Sequence, residues 1–227
     1  MRKLLEVIVT SRDEAVEAEL GGADRLEVVD SLENGGLTPP LEVVQKIVDA
    51  VSVPVRVMVR ANASMSIDGP AETKRLKDCV RELCRFPIDG LVLGFIKDSA
   101  VDLTATTAVL AEAPACRVTF HRAFDRLAHP LRAIKELKTL PQVDRILTTG
   151  GEGPWAERKN RLIDWQRAAA PQIGLIVAAG LCPSILADVS QHCPLGEIHI
   201  GRAARTPQTT SGRVSRTQIA SLKSLLG

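Results

Sequence analysis

The stretch Val118 to Arg126, VTFHRAFDR, brings an imidazole, a guanidinium and a carboxylate together as His121, Arg122 and Asp125. An apolar, β-favouring run precedes them, so they fall where a strand should end. Histidine titrates near neutrality, and arginine is a permanent cation matched to carboxylates and phosphates. Together they suit proton transfer on a small anion. The other candidates are dispersed: Glu6, Glu27, Arg60 and His199 each lie in or at the end of a short apolar run, and Arg202 follows the last of these runs.

Positioning such residues requires a repeating frame. Apolar runs begin at Leu4, Asp24, Pro54, Gly90, Cys116, Val143, Ile173 and Glu197, each followed by a segment with helical periodicity or start signals. Ser11 to Glu14 has capping-box spacing, while Thr38-Pro39, Pro70, Pro130 and Pro183 suit helix starts. The second helix is expected to bury Leu41, Val44, Ile47, Val48 and Val51. Eight strands alternating with eight helices, with no linker between them, predict an α/β fold: one domain over residues 1–227, a single-domain (β/α)8 TIM barrel. A doubly wound open sheet is the competing layout. Four strand starts echo one another, GADRLEV, PIDGLVLG, QVDRILTTG and LGEIHIG, each with an acid before or within the apolar run. Residues 203–212 read as a mobile loop.

Strand side chains alternate faces, and those meeting helices should be apolar. That places Glu6, Arg25, Glu27, Arg56, Arg60, Thr119, His121, Arg145, Glu197 and His199 inside the barrel, with Arg122 near the rim. Unpaired buried charge is expensive, which leaves two readings. In one, Arg25, Arg56, Arg145 and Glu197 form a mutually satisfied ionic lattice. In the other, Glu27, Arg60, His121 and His199 form a site at the strand C-termini, where barrel enzymes do their chemistry.

As an enzyme site, His121 is the general acid/base, and Glu6 or Glu27 orients it or carries a second proton. Arg60, Arg122 and Arg202, with the glycine turns at Gly151 and Gly180, hold a small anionic ligand. As a metal site, His121, His199 and Glu27 supply nitrogen and carboxylate ligands suited to zinc or a harder ion. A third reading is a non-catalytic oligomeric scaffold anchored through Trp155 and Trp165. Asp125 either joins the site or caps the next turn. The cysteines are not expected to converge: Cys79 and Cys84 lie about 140° apart around one helix, Cys116 belongs at the barrel bottom, Cys182 at the top and Cys193 near a strand start. No strand end carries a lysine for Schiff-base chemistry, and no GxSxG motif is present.

Composition narrows the classes. The 227 residues are 45% hydrophobic and 25% charged, as in an ordinary folded domain. A net charge of +2, no Tyr and four Phe argue against nucleic-acid binding. No apolar segment approaches the roughly 20 residues that span a bilayer, so no membrane association is expected. Glu6 interrupts the first apolar run, and no small-residue cleavage site follows it. Five unevenly spaced cysteines suggest a reduced, cytoplasmic protein.

The segments GGADRLEV, GGLTP, VTFHRAFD, RILTTGG and EIH, spread from Gly21 to His199, resemble those of the CutC family of copper homeostasis proteins. The resemblance implies a cytoplasmic, homo-oligomeric TIM barrel and names copper as the implied ion; the sequence indicates no other cofactor. Three departures bear on this. Family members often carry cysteine after the first- and second-strand glutamates, where this chain has Ile8 and Val29. The family's Arg-Pro-Arg after the third strand is Arg60-Ala61-Asn62, and its glycine-rich turn after the seventh is Ala178-Ala179-Gly180.

Overall fold

The computed structural model describes residues 3–178, 180–192 and 195–226; Ala179 and Cys193 lie outside the described residues. The parallel strands are β1 (Leu4–Val9), β2 (Arg25–Val28), β3 (Val55–Met58), β4 (Gly90–Leu93), β5 (Arg117–Phe120), β6 (Val143–Thr148), β7 (Gly174–Val177) and β8 (Glu197–Ile200). Around them run α1 (Arg12–Leu20), α2 (Leu41–Val48), α3 (Gly69–Leu83), α4 (Leu103–Leu110), α5 (Pro130–Leu137), α6 (Trp155–Ala169), α7 (Pro183–His192) and α8 (Arg216–Ser224). Each strand pairs with its neighbours in sequence, and β1 closes on β8 from Leu4–Glu197 to Val7–Ile200. Closure removes the two edges an open sheet would leave, so the barrel prediction holds.

The alternation of faces explains the core. Leu5, Val7, Leu26, Val28, Val57, Val118 and Phe120 point outward and join the helices in one large apolar cluster. Inside the barrel, two small apolar groups remain: Ile8, Val29, Met58 and Val92, and Leu147, Ile176 and Ala178.

Below these apolar groups the interior is ionic. Arg25 reaches Glu6 at 2.5 Å and Glu197 at 2.6 Å, and Glu197 also accepts from Arg145. Arg145 contacts Asp144, which receives Arg56 through both oxygens at 2.8 Å. Arg56 also meets Asp89 at 2.9 Å and Thr119 at 2.7 Å. Three of the echoed strand-start acids, Asp89, Asp144 and Glu197, are thus the counter-ions of inward arginines. The fourth, Asp24, accepts instead from the Leu5 amide and Lys223.

Several expectations are corrected. The second helix starts only after Pro40, so Val44 and Ile47 are buried while Leu41 stays exposed and Val51 lies beyond its end. Residues 203–212 are pinned by a short antiparallel ladder, Arg205–Thr206 against Arg213–Val214. Buried Arg205 strengthens this ladder by bonding both Glu14 oxygens, at 2.5 and 2.8 Å, and the Gly212 carbonyl. Cys84 and Cys116 do converge, with their sulfurs 2.9 Å apart, because α3 returns to the barrel bottom where β5 begins. Trp165 is buried edge-on against Phe124, and Trp155 donates to Asp188, so Trp165 anchors the core and not an outer surface. Among the described residues, no helix is long and apolar enough to cross a membrane.

Arg25→Met would leave Glu6 and Glu197 without their shared cation. It is expected to destabilise the fold by about 3–5 kcal/mol, the usual loss for breaking a buried pair, as read by guanidinium denaturation.

Candidate active site

At the C-terminal ends of the strands a cavity of about 690 Å³ opens, with Glu27, Arg60, His121, Arg122, Gly180, His199 and Arg202 on its wall. Gly151, expected beside them, is not part of this wall; it sits in the turn after β6, exchanging bonds with Thr149. The remaining candidate, Glu6, lies beneath, fully buried under His199.

The structure groups the candidates differently from the sequence reading. Glu6 and Glu27 converge on His199 and not on His121: His199 Nδ1 is 2.9 Å from Glu6 and 3.2 Å from Glu27. Only the Glu6 contact has hydrogen-bond geometry, and Glu6 also holds Arg25. Both Glu27 oxygens, although buried, have no hydrogen-bond partner among the described residues. Charge follows this geometry. Burial opposes ionisation of Glu6, but Arg25 and His199 outweigh it and hold its carboxyl well below the usual range. Burial pushes the Glu27 carboxyl up to about 7; the Glu6 charge adds to that push, and His199 and Arg25 offset it in part. His199 is buried too, yet the two carboxylates raise its pKa.

His121 stands apart. The strand β5 ends one residue before it, because its ring nitrogen Nδ1 accepts the Ala123 amide at 3.1 Å and caps a 3-10 turn over Arg122–Arg126. A backbone amide can only donate, so in the neutral ring Nδ1 is bare and the proton sits on Nε2. That Nε2–H is buried and has no hydrogen-bond partner among the described residues. Burial, reinforced by the Arg60 cation, lowers the pKa of His121 to about 3, so the imidazole is neutral near pH 7. A protonated Nε2 offers no lone pair, which removes His121 from the metal-ligand set expected for it. The donors that cluster are Glu6, Glu27 and His199, all within 4.8 Å of one another.

Arg60 is fully engaged in holding loops. Nε donates to the Asn62 carbonyl at 2.9 Å, Nη1 to Gly35 and Gly36 at 3.1 and 3.2 Å, and Nη2 to Ala63 at 2.8 Å. Among the described residues, no carboxylate pairs with it, so its charge acts on the cavity as a field. Arg122 at the rim is half exposed and touches Asp125 at 3.3 Å. Arg202 is exposed at the mouth. Asp125 does not cap the following helix; it accepts from Thr148 Oγ1 and the Thr149 amide and ties the β5 turn to the end of β6.

Two further residues shape the site. Gly94, just past β4, leaves room for the His121 ring: a Cβ there would lie 2.6 Å from Nδ1. Arg158 of α6 bonds the carbonyls of Thr149 and Ala178 and so joins the turns after β6 and β7. The glycine in VLGF is a signal for the first, whereas nothing in the polar face of α6 marks the second.

This is a (β/α)8-barrel protein with a ligand-sized, charged cavity at the C-terminal ends of its strands. The CutC family model matches residues 3–204, and the chain belongs to the CutC family. It is 38% identical over 148 residues to the human copper homeostasis protein cutC homolog, covering 65% of this chain and 54% of that one. A family protein CutC from Xanthomonas axonopodis is 31% identical over 196 residues, covering 86% and 81% of the two chains. The crystal structure of a CutC protein from Streptococcus agalactiae superposes with a TM-score of 0.79 at 22% identity, covering 88% and 98%.

The linkage at His121 has a definite sign. In the unfolded chain it takes up a proton below about 6.5, whereas in the fold it stays neutral down to about 3. Its contribution to stability is therefore complete above 6.5 and is lost as pH falls towards 3. Relative to His121→Gln, the wild-type protein is expected to lose about 1.1 kcal/mol per pH unit between 6.5 and 5. Guanidinium denaturation of both proteins across that window checks it.

Proposed function

We propose that the barrel mouth of this CutC-family protein is an acid–base active site for a small organic anion, with Glu27 as the proton carrier. One observation carries the reading: two buried groups, the Glu27 carboxyl and the His121 Nε2–H, have no hydrogen-bond partner among the described residues, and both residues line the same cavity. Buried polar groups are nearly always satisfied, so such a pair is suited to a ligand that both accepts and donates hydrogen bonds. A carboxyl titrating near neutrality suits proton transfer, since it is available in both forms. Arg122 and Arg202 at the rim, with the Arg60 cation behind them, favour a negatively charged molecule. Free thiols at Cys79, Cys84, Cys116 and Cys182 support placement in the cytoplasm.

Copper is the ion in the human relative's name. Copper(I) selects thiolate and thioether sulfur. The cluster of Glu6, Glu27 and His199 offers oxygen and nitrogen; His199 Nδ1 faces the two carboxylates, and Glu6 already pairs with Arg25. Ile8 and Val29, at the two strand positions where the resemblance implies thiols, pack with Met58 and Val92. The cluster does not fit copper(I), and no step here uses it.

2-Phosphoglycolate, which carries a carboxylate and a phosphate, probes the site by titration calorimetry in two buffers of different ionisation enthalpy. Binding is expected with proton uptake near pH 7, since the anion raises the proton affinity of Glu27. Arg122→Ala or Arg202→Ala should weaken binding about tenfold or more, and Glu27→Gln should abolish the uptake. Unchanged affinity in both arginine variants, with no uptake in the wild type, would contradict the reading.

A further inference from the structure

His121 supplies what the acid–base reading leaves unspecified. Its ring is held on two sides: Nδ1 accepts the Ala123 amide, and the missing side chain of Gly94 admits the ring against β4. The amide contact fixes the tautomer and the Gly94 contact fixes the ring, so a buried Nε2–H dipole is held in one position at a residue of the cavity wall. A ring fixed in this way cannot readily shuttle protons, because taking one up would require charging Nδ1 against an amide N–H. It can hold an oxygen on which negative charge develops, and a preorganised donor in a dry site is effective at that. The Glu27 carboxylate, of a residue lining the same cavity, has no hydrogen-bond donor of its own among the described residues and can accept a proton. A base and a fixed oxygen-holding donor in one cavity match the removal of a hydrogen next to a carbonyl group.

We propose that the substrate is a small anionic carbonyl compound with a hydrogen on the carbon beside the carbonyl, and that His121 holds the carbonyl oxygen through Nε2–H while Glu27 removes that hydrogen. This rests on the acid–base reading of the cavity. In the step, the carbon-bound proton passes to a Glu27 oxygen and the C–H electron pair becomes a C=C bond. The carbonyl π pair moves to the oxygen, whose charge faces His121 Nε2–H and the Arg60 field. Return of the proton from Glu27 to the same carbon, as the oxygen pair re-forms the carbonyl, restores the enzyme without oxidant, reductant or co-reactant. Gly94 is a positioning residue in this scheme.

The test compares 2-phosphoglycolate with phosphoglycolohydroxamate, whose planar anionic oxygens mimic the enediolate, in buffer containing EDTA. The full chain is expected to bind the hydroxamate at least about tenfold tighter. His121→Ala should erase that preference, and His121→Gln, which keeps an N–H donor, should retain part of it. Long-range 1H–15N NMR of the wild type should show His121 as the Nε2–H tautomer from pH 5 to 8. Equal affinities for the two probes, or a hydroxamate preference that persists in His121→Ala or depends on omitting EDTA, would overturn the carbonyl assignment while leaving the anion site intact. An Nδ1–H tautomer, or an imidazolium forming near pH 6.5, would also overturn it. No binding of either probe would overturn this inference and the acid–base reading together.

Discussion

Two carboxylates compete for one imidazole N–H at the centre of this barrel, and Glu6 prevails. It stands in register with both His199 and Arg25, so it gains a hydrogen bond and an ion pair at once. Glu27 faces the interior one step higher on β2 than Arg25 and meets the same histidine without a bond to it. Buried and adjacent to a charge that Arg25 and His199 keep in place, its carboxyl is pushed up to about 7 and exchanges its proton near neutrality. The proton-carrying capacity of the cavity depends on that imbalance.

The interior is layered to sustain it. The lower part is an ionic chain running from Glu6 through Arg25, Glu197, Arg145 and Asp144 to Arg56 and Asp89. Such a network satisfies charges that would otherwise be costly to bury. Above it, Ile8, Val29, Met58 and Val92 keep one side apolar and raise the price of ionising Glu27. At the top, Arg60 is held by four backbone contacts and adds positive potential, with no carboxylate partner among the described residues. Loops are pinned as well: Arg205 on Glu14 fixes the segment after β8, and Arg158 joins the turns after β6 and β7.

Much of the fold was legible because a period of two along a strand sorts apolar from polar faces irrespective of the final geometry. The inward set containing Glu6, Arg25, Glu27, Arg56 and His199 followed from that alone. The strand-start acids looked like a weak repeat; only the register between strands reveals that Asp89, Asp144 and Glu197 neutralise inward arginines. Arg60 was read by its charge, whereas its donors are taken up by carbonyls of two loops. The pairing of His121 with glutamate failed for a local reason. Its Nδ1 is occupied by the amide of Ala123, and the ring is seated by Gly94 from another strand, neither of which spacing in the sequence encodes. The bond from Asp125 to the end of β6 is hidden for the same reason: the partners are brought together by barrel closure.

The most direct measurement of the central claim is a 13C NMR titration of the Glu27 side-chain carboxyl in the wild-type protein and in Glu6→Gln. The expected wild-type midpoint is near 7, with a lower midpoint once Glu6 no longer adds its charge or holds His199. A Glu27 carboxyl that titrates in the ordinary carboxylate range, unmoved by Glu6→Gln, would contradict it.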